Sequence, residues 1–283
     1  MAIAGPVRGV AGLLSGRPVH PVGPDGKMAL SDHLRELRAR IIKAALVLAV
    51  GFFVALFFYD QLFDLVYTPY LKAQDALGGH RTQGVTEGVG AGFLLYFKLC
   101  GLAALIGTSP LWLYQIWAFI LPALLPREKR WSAVFVAVAG PLFLVGIVLG
   151  YLTLPKGVQI LISFNHSGVL NLVEFNDYLS FFIHTLLMFG VAFEIPVFVV
   201  MLNLVGVLPG RVLASARPWI IVGIFIFAAA ATPSTDPFTM CMMAVPMCLL
   251  YGVAEVIARV NDRRRVRNRP FAELDPDTPS PLP

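Results

Sequence analysis

The sequence predicts an all-α membrane protein with six membrane-inserted helices, the last two short, and with both termini in the cytoplasm. Three observations lead to this fold class. Hydrophobic residues make up 57% of the 283 residues and charged residues only 14%, against about 25% charged in soluble domains. Apolar segments long enough to cross a bilayer recur along the chain. Lysine and arginine collect in alternate loops between those segments.

Lipid is the solvent that this composition requires. The mean hydropathy is +0.75, and a water-soluble chain of this length could not bury that much apolar surface. In hydrocarbon, a helix satisfies its own backbone hydrogen bonds. We therefore expect most of the chain to form helices that contact lipid.

The cysteines and histidines predict no cofactor site. Cys100, Cys241 and Cys248 lie inside apolar segments, and no two of them form a CxxC motif. The five histidines are scattered and form no HExxH or comparable ligand pair. The cysteines are expected to act as small apolar core residues, without a disulfide framework or a metal.

Four apolar segments have the length of a full membrane span, which needs about 20 residues. The second contains Lys98 near one end, which is expected to extend outward to the interface. The third contains Gly146 and Gly150, a GxxxG helix-packing motif of low specificity. The four segments are Ile41–Tyr59, Phe93–Trp117, Trp131–Leu154 and Tyr178–Val205.

The last two apolar segments are shorter. Trp219–Ala231 has 13 residues and Phe238–Ala254 has 17, and a tight turn containing Asp236 joins them. At about 1.5 Å per residue, both fall short of a ~30 Å hydrocarbon core. The pair is predicted to form a hairpin that either stops short of the far interface or thins the bilayer locally. Alternatively, neighbouring polar residues reach the interface and the mismatch is trivial.

The basic residues orient the chain. Of 22 lysines and arginines, only Lys72, Arg81, Lys156 and the membrane-edge Lys98 fall on one side. The other 18 lie in the N-terminal arm, the loops 121–130 and 206–218, and the C-terminal tail. The positive-inside rule places these in the cytoplasm. The net charge of +5 is thus explained by topology, and no nucleic-acid partner is expected.

Three regions follow from this layout. Residues 1–30 are predicted to form a disordered cytoplasmic arm, residues 31–258 the six-helix transmembrane domain, and residues 259–283 a basic and then Pro-rich cytoplasmic tail. Met1 and Met28 both remain possible start residues. The extracytoplasmic loops 60–92 and 155–177 are long enough for short helices, and apolar residues around Pro69 suit an interfacial cap.

Two glutamates stand out on the cytoplasmic side. Glu36 lies in the run His33–Arg40 before the first span, and Glu128 follows Pro126 before the third. Each has a structural explanation, because Glu36 can pair with Arg40 four residues on and Glu128 suits a helix N-terminus. Two carboxylates at the mouth of a helix bundle could instead bind guanidinium groups of a partner.

Glu194 is the third candidate, because it lies near the middle of the fourth span, two residues before Pro196. A charge at that depth costs a few kcal/mol on insertion scales, so the side chain is expected to face the bundle interior, a cavity or a partner. Pro196 is expected to kink the helix. The structural alternative is a buried hydrogen bond within the chain.

Several functions find little support in the residues. The sequence has no Walker A motif, no GxSxG nucleophile elbow and no paired-aspartate intramembrane protease pattern. An enzyme is therefore not expected. A proton- or ion-coupled solute transporter that uses Glu194 as its carrier is an alternative to a receptor. No second intramembrane acid and no obvious inverted repeat support it.

Short motifs along residues 28–260 make the chain resemble the TatC family, the polytopic receptor subunits of the twin-arginine protein translocase. Their order and spacing, including the short final hairpin, carry the resemblance. One departure is Met240, where some members have glutamine. The motifs are His33–Arg40, Tyr114–Leu124 followed by Glu128, Phe189–Pro196, Arg217-Pro218, Thr232-Pro233, Asp236 and Ala244–Met247.

The resemblance implies a cupped six-helix bundle in the cytoplasmic (inner) membrane that binds signal peptides with paired arginines on folded cargo. Glu36 and Glu128 correspond to the carboxylates that recognise those arginines, and Arg38 and Phe119 to positions at the same site. Glu194 corresponds to an intramembrane polar contact with single-span partners. The resemblance further implies TatA- and TatB-type partners, self-association and transport driven by the proton-motive force, without catalysis or a cofactor.

Overall fold

The computed structural model describes residues 30–77, 82–86, 88–124, 129–164, 171–232 and 237–267. Within these ranges the chain forms α-helices and one pair of short strands. The helices are α1 (Leu30–Leu56), α2 (Tyr59–Ala76), α3 (Ala91–Gly107), α4 (Ser109–Leu124), α5 (Lys129–Ser163), α6 (Phe175–Val205), α7 (Gly210–Ser215), α8 (Arg217–Ala231) and α9 (Pro237–Arg267). The strands are β1 (Thr82–Val85) and β2 (Asn171–Glu174).

The described helices confirm a multi-pass membrane protein. Four of them, α1, α5, α6 and α9, are long and apolar enough to cross a membrane, and α3 with α4 would make a fifth span if the bent pair is one span. The remaining apolar helix, α8, has 15 residues, or about 22 Å at ~1.5 Å per residue. The short length predicted for the fifth apolar segment is thus confirmed, whereas the count of six inserted helices stays a prediction.

The second span is broken, although the sequence predicts one helix there. The axes of α3 and α4 differ by 60°, and the break lies at Thr108. Pro110 in the first turn of α4 has no N–H, and its ring would clash with a carbonyl of the preceding turn in a straight helix. The Trp112 indole N–H donates to the carbonyl of Leu105 at 2.8 Å. This bond satisfies an acceptor beside the break.

The last helix is much longer than predicted. The sequence predicts a span that ends at Ala254, but α9 has 31 residues and ends at Arg267, so the prediction of a short last helix is wrong. Glu255 does not end the helix, because Arg217 and Arg259 neutralise its carboxylate. The predicted boundary at residue 258 therefore falls inside a helix. Asp236, predicted at the hairpin turn, lies outside the described residues.

Helices α5 and α6 form the centre of the bundle. A Cβ atom on Gly146 would lie 2.6 Å from the backbone oxygen of Phe189, and one on Gly190 would lie 2.7 Å from the Phe143 ring. The GxxxG motif is thus the place where the two helices approach most closely. The core around this crossing includes the fully buried side chains of Phe143, Leu154, Leu179, Phe182, Phe189 and Phe193.

Helix α2 forms a docked cap, as the apolar residues around Pro69 suggested. Pro69 lies inside the helix and cannot donate to the carbonyl of Leu65, four residues earlier. The Tyr151 hydroxyl on α5 donates to this carbonyl at 3.0 Å. The Tyr178 hydroxyl on α6 donates to the adjacent carbonyl of Val66 at 2.8 Å. Two tyrosines thus hold the cap at its proline.

Two features of this end of the bundle differ from expectation. Strands β1 and β2 pair in parallel, with Thr82 opposite Asn171 and Val85 opposite Glu174, which joins the two loops predicted to be extracytoplasmic. The sequence gives no alternating pattern for either four-residue strand. Lys98 does not extend outward, because its Nζ donates to the Ser180 hydroxyl on α6 at 3.1 Å.

Candidate functional site

The start of α1 and the end of α4 meet through two aromatic rings. His33 and Phe119 stack with ring centroids 4.4 Å apart and planes 16° from parallel. Helix α1 begins at Leu30, so His33 and Glu36 lie in its first two turns. Glu36 lies three residues after His33 and therefore on the same helix face. Of the sequence-predicted site residues, Phe119 thus contacts the α1 face that carries Glu36.

The Glu36 carboxylate has one partner within α1. Arg40 Nε donates to Glu36 Oε1 at 2.9 Å, and the second bond from Arg40 reaches the same oxygen. The i, i+4 pair considered from the sequence is therefore present. Among the described residues no hydrogen bond reaches Oε2 of Glu36. This carboxylate is 16% exposed in its side chain and keeps one oxygen for a further donor.

Arg38 lies on a different face of α1. Two residues correspond to more than half a turn of a helix, and the Arg38 side chain is exposed, like those of Leu34 and Ile41. Leu34 and Ile41 are 56% and 58% exposed, so this side of α1 is turned outward. The structure thus places Arg38 on a different face of α1 from Glu36. Glu128 lies outside the described residues.

Glu194 lies in the middle of α6 with a buried, unpaired carboxyl group. Neither carboxylate oxygen is exposed, and within the described residues neither has a hydrogen-bond partner. The Trp117 side chain lies close to the group without a hydrogen bond of normal geometry. The buried structural hydrogen bond considered from the sequence is therefore not seen in this part of the chain.

The face of α6 around Glu194 is uncovered. Val191 is 51% exposed, Ile195 39% and Phe198 43%. These residues follow the i, i+4, i+7 spacing of one helix face, and Glu194 lies between them. An apolar stripe with a buried carboxyl beneath it suits a second apolar helix that brings one hydrogen-bond donor.

An ion cluster that sequence reasoning missed fixes α9 to α8. Glu255 is 4% exposed and accepts from Arg217 Nε at 3.0 Å and from a terminal Arg217 nitrogen at 2.7 Å. Arg259 pairs with the same carboxylate from one turn along α9. In the sequence, Arg217 appeared only as part of a family motif. Glu255 could have predicted the cluster, because a glutamate that directly follows an apolar run needs a cationic partner if it is buried.

A second polar cluster fixes α9 to the end of α6 and the start of α7. Asp262 accepts from the Gly210 N–H at 2.6 Å and from Asn203 Nδ2 at 3.0 Å. Asn261 Nδ2 donates to Asn203 Oδ1 at 3.0 Å. Asp262 thus caps the start of α7 from another helix. We refer to residues Asn203, Gly210, Asn261 and Asp262 as the α9 anchor.

The described side chains include no candidate metal centre. No group of three or more histidine, cysteine, aspartate or glutamate residues lies close enough there to hold a metal ion. Cys100, Cys241 and Cys248 are free thiols.

The chain is similar to one protein family over most of its length. The family model described as Sec-independent protein translocase protein (TatC) matches residues 32–246. A TatC of Frankia casuarinae is 41% identical over 268 residues, which cover 91% of this chain and 74% of the relative. A TatC of Deinococcus radiodurans is 38% identical over 232 residues, which cover 82% of this chain and 86% of the relative.

Solved structures show the same similarity. A crystal structure of the twin arginine translocase receptor TatC superposes with a TM-score of 0.66 at 29% identity, covering 82% of this chain and 100% of that one. A second crystal structure of the receptor, in DDM, gives 0.67 at 30% identity, covering 80% and 99%.

Proposed function

The chain belongs to the TatC family of Sec-independent protein translocase proteins, and from this premise we propose that it is the receptor that binds twin-arginine signal peptides of folded proteins. As a member of this family, the chain is a multi-pass membrane component of twin-arginine translocation. The family transports proteins and is not a family of enzymes. Membership therefore favours protein transport over the alternative of a small-solute transporter.

The observation that carries this proposal is the geometry of Glu36. Glu36 shares a face of α1 with His33, which stacks on Phe119, and Arg40 occupies only one of the two carboxylate oxygens of Glu36. An arginine of a signal peptide binds the free oxygen and competes with Arg40 for the other. Charge-assisted guanidinium–carboxylate bonds suit this exchange because they are strong and geometrically specific.

The rest of the receptor follows from the same proposal. Glu128 binds the second arginine of the signal, and Arg38 and Phe119 complete the site. Six inserted helices in the inner membrane, with both termini in the cytoplasm, place these residues where a signal peptide arrives. TatA- and TatB-type subunits, self-association and the proton-motive force complete the transport machinery.

Neutralising the two glutamates tests the site. We expect Glu36→Gln and Glu128→Gln each to lower crosslinking to a twin-arginine signal peptide about tenfold, since hydrogen bonds to charged groups contribute about 1.5–3 kcal/mol. Photo-crosslinking in membrane vesicles measures the effect. Asp60→Asn, in the first turn of α2, is the matched control and should leave crosslinking unchanged.

A further variant separates recognition from local structure. Arg40→Gln removes the internal partner of Glu36, so crosslinking should rise or stay constant. If Arg40→Gln lowers crosslinking as strongly as Glu36→Gln, the pair stabilises α1 and does not form the receptor site. Undiminished crosslinking in the double glutamate variant would also exclude this site.

Glu194 serves as the polar contact for a single-span partner helix. We expect Glu194→Ala to weaken co-purification with a TatB-type subunit severalfold while the thermal stability of the isolated chain changes little, because no internal hydrogen bond is lost. Val222→Ala is the control, because Val222 is 50% exposed on α8 and lies outside this face. Parallel losses of stability and partner binding in Glu194→Ala would instead indicate a structural role.

A further inference from the structure

A deep apolar groove runs between α5, α6 and α9. Its volume is about 530 Å³. Fourteen of its 16 lining side chains are apolar, and the two polar ones, Asn261 and Arg264, come last along α9. Helix by helix, the apolar walls include Phe135 and Leu142, Val197 and Leu204, and Val253 and Ile257.

The polar end of the groove carries a free cation. Arg264 is exposed and forms no ion pair with any described side chain. The nearest acidic residue in sequence, Asp262, is held by Gly210 and Asn203. The groove is thus apolar along its length and positive at its mouth.

We propose that this groove binds an anionic phospholipid, with an acyl chain between the three helices and the phosphate group at Arg264. Basic pockets between transmembrane helices bind anionic head groups, and the cytoplasmic leaflet is rich in anionic lipids. The volume lies within the ~300–1,000 Å³ range of small-molecule sites.

Size distinguishes a lipid from a partner helix. The α9 wall extends from Leu250 to Arg264, which is about 20 Å at ~1.5 Å per residue. A helix about 10–12 Å across would occupy about 1,600–2,300 Å³ over that length. The whole empty space of the groove, including its open side, is about 1310 Å³, so a helix could cover the groove but not fill it. An acyl chain fills it, and the Arg264 guanidinium meets the phosphate charge.

This lipid site is separate from the proposed receptor site. Neither Glu36 nor Glu194 lines the groove. The groove walls on α6 are Pro196, Val197, Val200 and Leu204, whereas the uncovered face around Glu194 contains Val191, Ile195 and Phe198. Substitutions can therefore abolish lipid binding without affecting signal-peptide binding, and the reverse.

The test uses the full chain, purified in mild detergent and depleted of lipid. Phosphatidylglycerol or phosphatidylcholine with identical acyl chains is added, and retained lipid is measured by native mass spectrometry. We expect phosphatidylglycerol to be retained preferentially. Arg264→Gln should weaken its retention about fivefold, the effect of one arginine near an anionic head group. Arg263→Gln, also exposed and outside the groove, should have no effect.

A second pair of variants tests the apolar part. Val253→Trp fills the groove and should remove the bound lipid, whereas Val245→Trp is the control on the same helix, with exposures of 56% and 51% at the two positions. Equal retention of both lipids, unaffected by Arg264→Gln, would mean an adventitious lipid only and would overturn the proposal. So would a Val253→Trp variant that keeps its lipid but no longer co-purifies a single-span subunit, because the occupant would then be a protein helix.

Discussion

Replacing Gly146 by valine should prevent α5 and α6 from packing together. The first carbon of the new side chain would lie 2.6 Å from the Phe189 oxygen and 3.0 Å from the Gly190 Cα atom. Both obstacles are backbone atoms, so no side-chain rotation relieves the overlap, and the helices must move apart. Overpacking of a well-packed core costs about 1–3 kcal/mol and sometimes more, and we expect the upper end or beyond.

Thermal unfolding in detergent, followed by size-exclusion chromatography, measures this loss. Gly101→Val is the matched control, because Gly101 also lies within an apolar helix and a Cβ atom there would meet nothing within 4 Å. The difference between the two variants excludes the general effect on stability of replacing a helical glycine by valine. If the two variants unfold at the same temperature, the close approach of α5 and α6 does not contribute to stability.

Removing the Asp262 carboxylate should release the end of α9. Asp262→Ala leaves the Gly210 N–H and the amide of Asn203 without these acceptors, and Asn203 is only 1% exposed. An unsatisfied buried polar group costs about 1–3 kcal/mol, so we expect a loss of about 2 kcal/mol. The segment after Glu255 should also become more sensitive to protease.

Two further variants define the cause. Asp262→Asn keeps one acceptor oxygen and should recover part of the stability, and Arg263→Ala should unfold like the unchanged chain because its side chain is exposed. Full stability in Asp262→Ala would show that the α9 anchor is dispensable. Protease sensitivity without a change in unfolding temperature would limit its role to the end of the helix.

Hydrophobicity predicted the spans better than it predicted the ends of the helices. The short α8 follows directly from its run of apolar residues. The length of α9 could not be predicted in this way, because a partner of the buried Glu255 inside it is Arg217, which is 38 residues away in sequence. The break at Thr108 was also missed, since an apolar count does not register one proline in the first turn of a helix.

The candidate site residues stay predictions from the sequence. Glu36 was chosen because a carboxylate among cations at a membrane surface is unusual. The contact of His33 with Phe119 depends on how α1 crosses α4, which no local pattern specifies. The separation of Arg38 from Glu36 follows from helical periodicity alone, and the sequence therefore contained that information. The α9 anchor joins residues up to 59 positions apart, which local patterns do not reveal.

The two tyrosine bonds to α2 have a mechanical consequence. Tyr151 and Tyr178 come from different helices and act on adjacent carbonyls of the cap. Lifting α2 would break both bonds together, at a cost of about 1–3 kcal/mol, and would leave the carbonyl beside Pro69 without its donor. A load on the cap is transmitted directly to α5 and α6. Movement of the cap is therefore coupled to both central helices, because α2 cannot lift from one of them without losing a bond to the other.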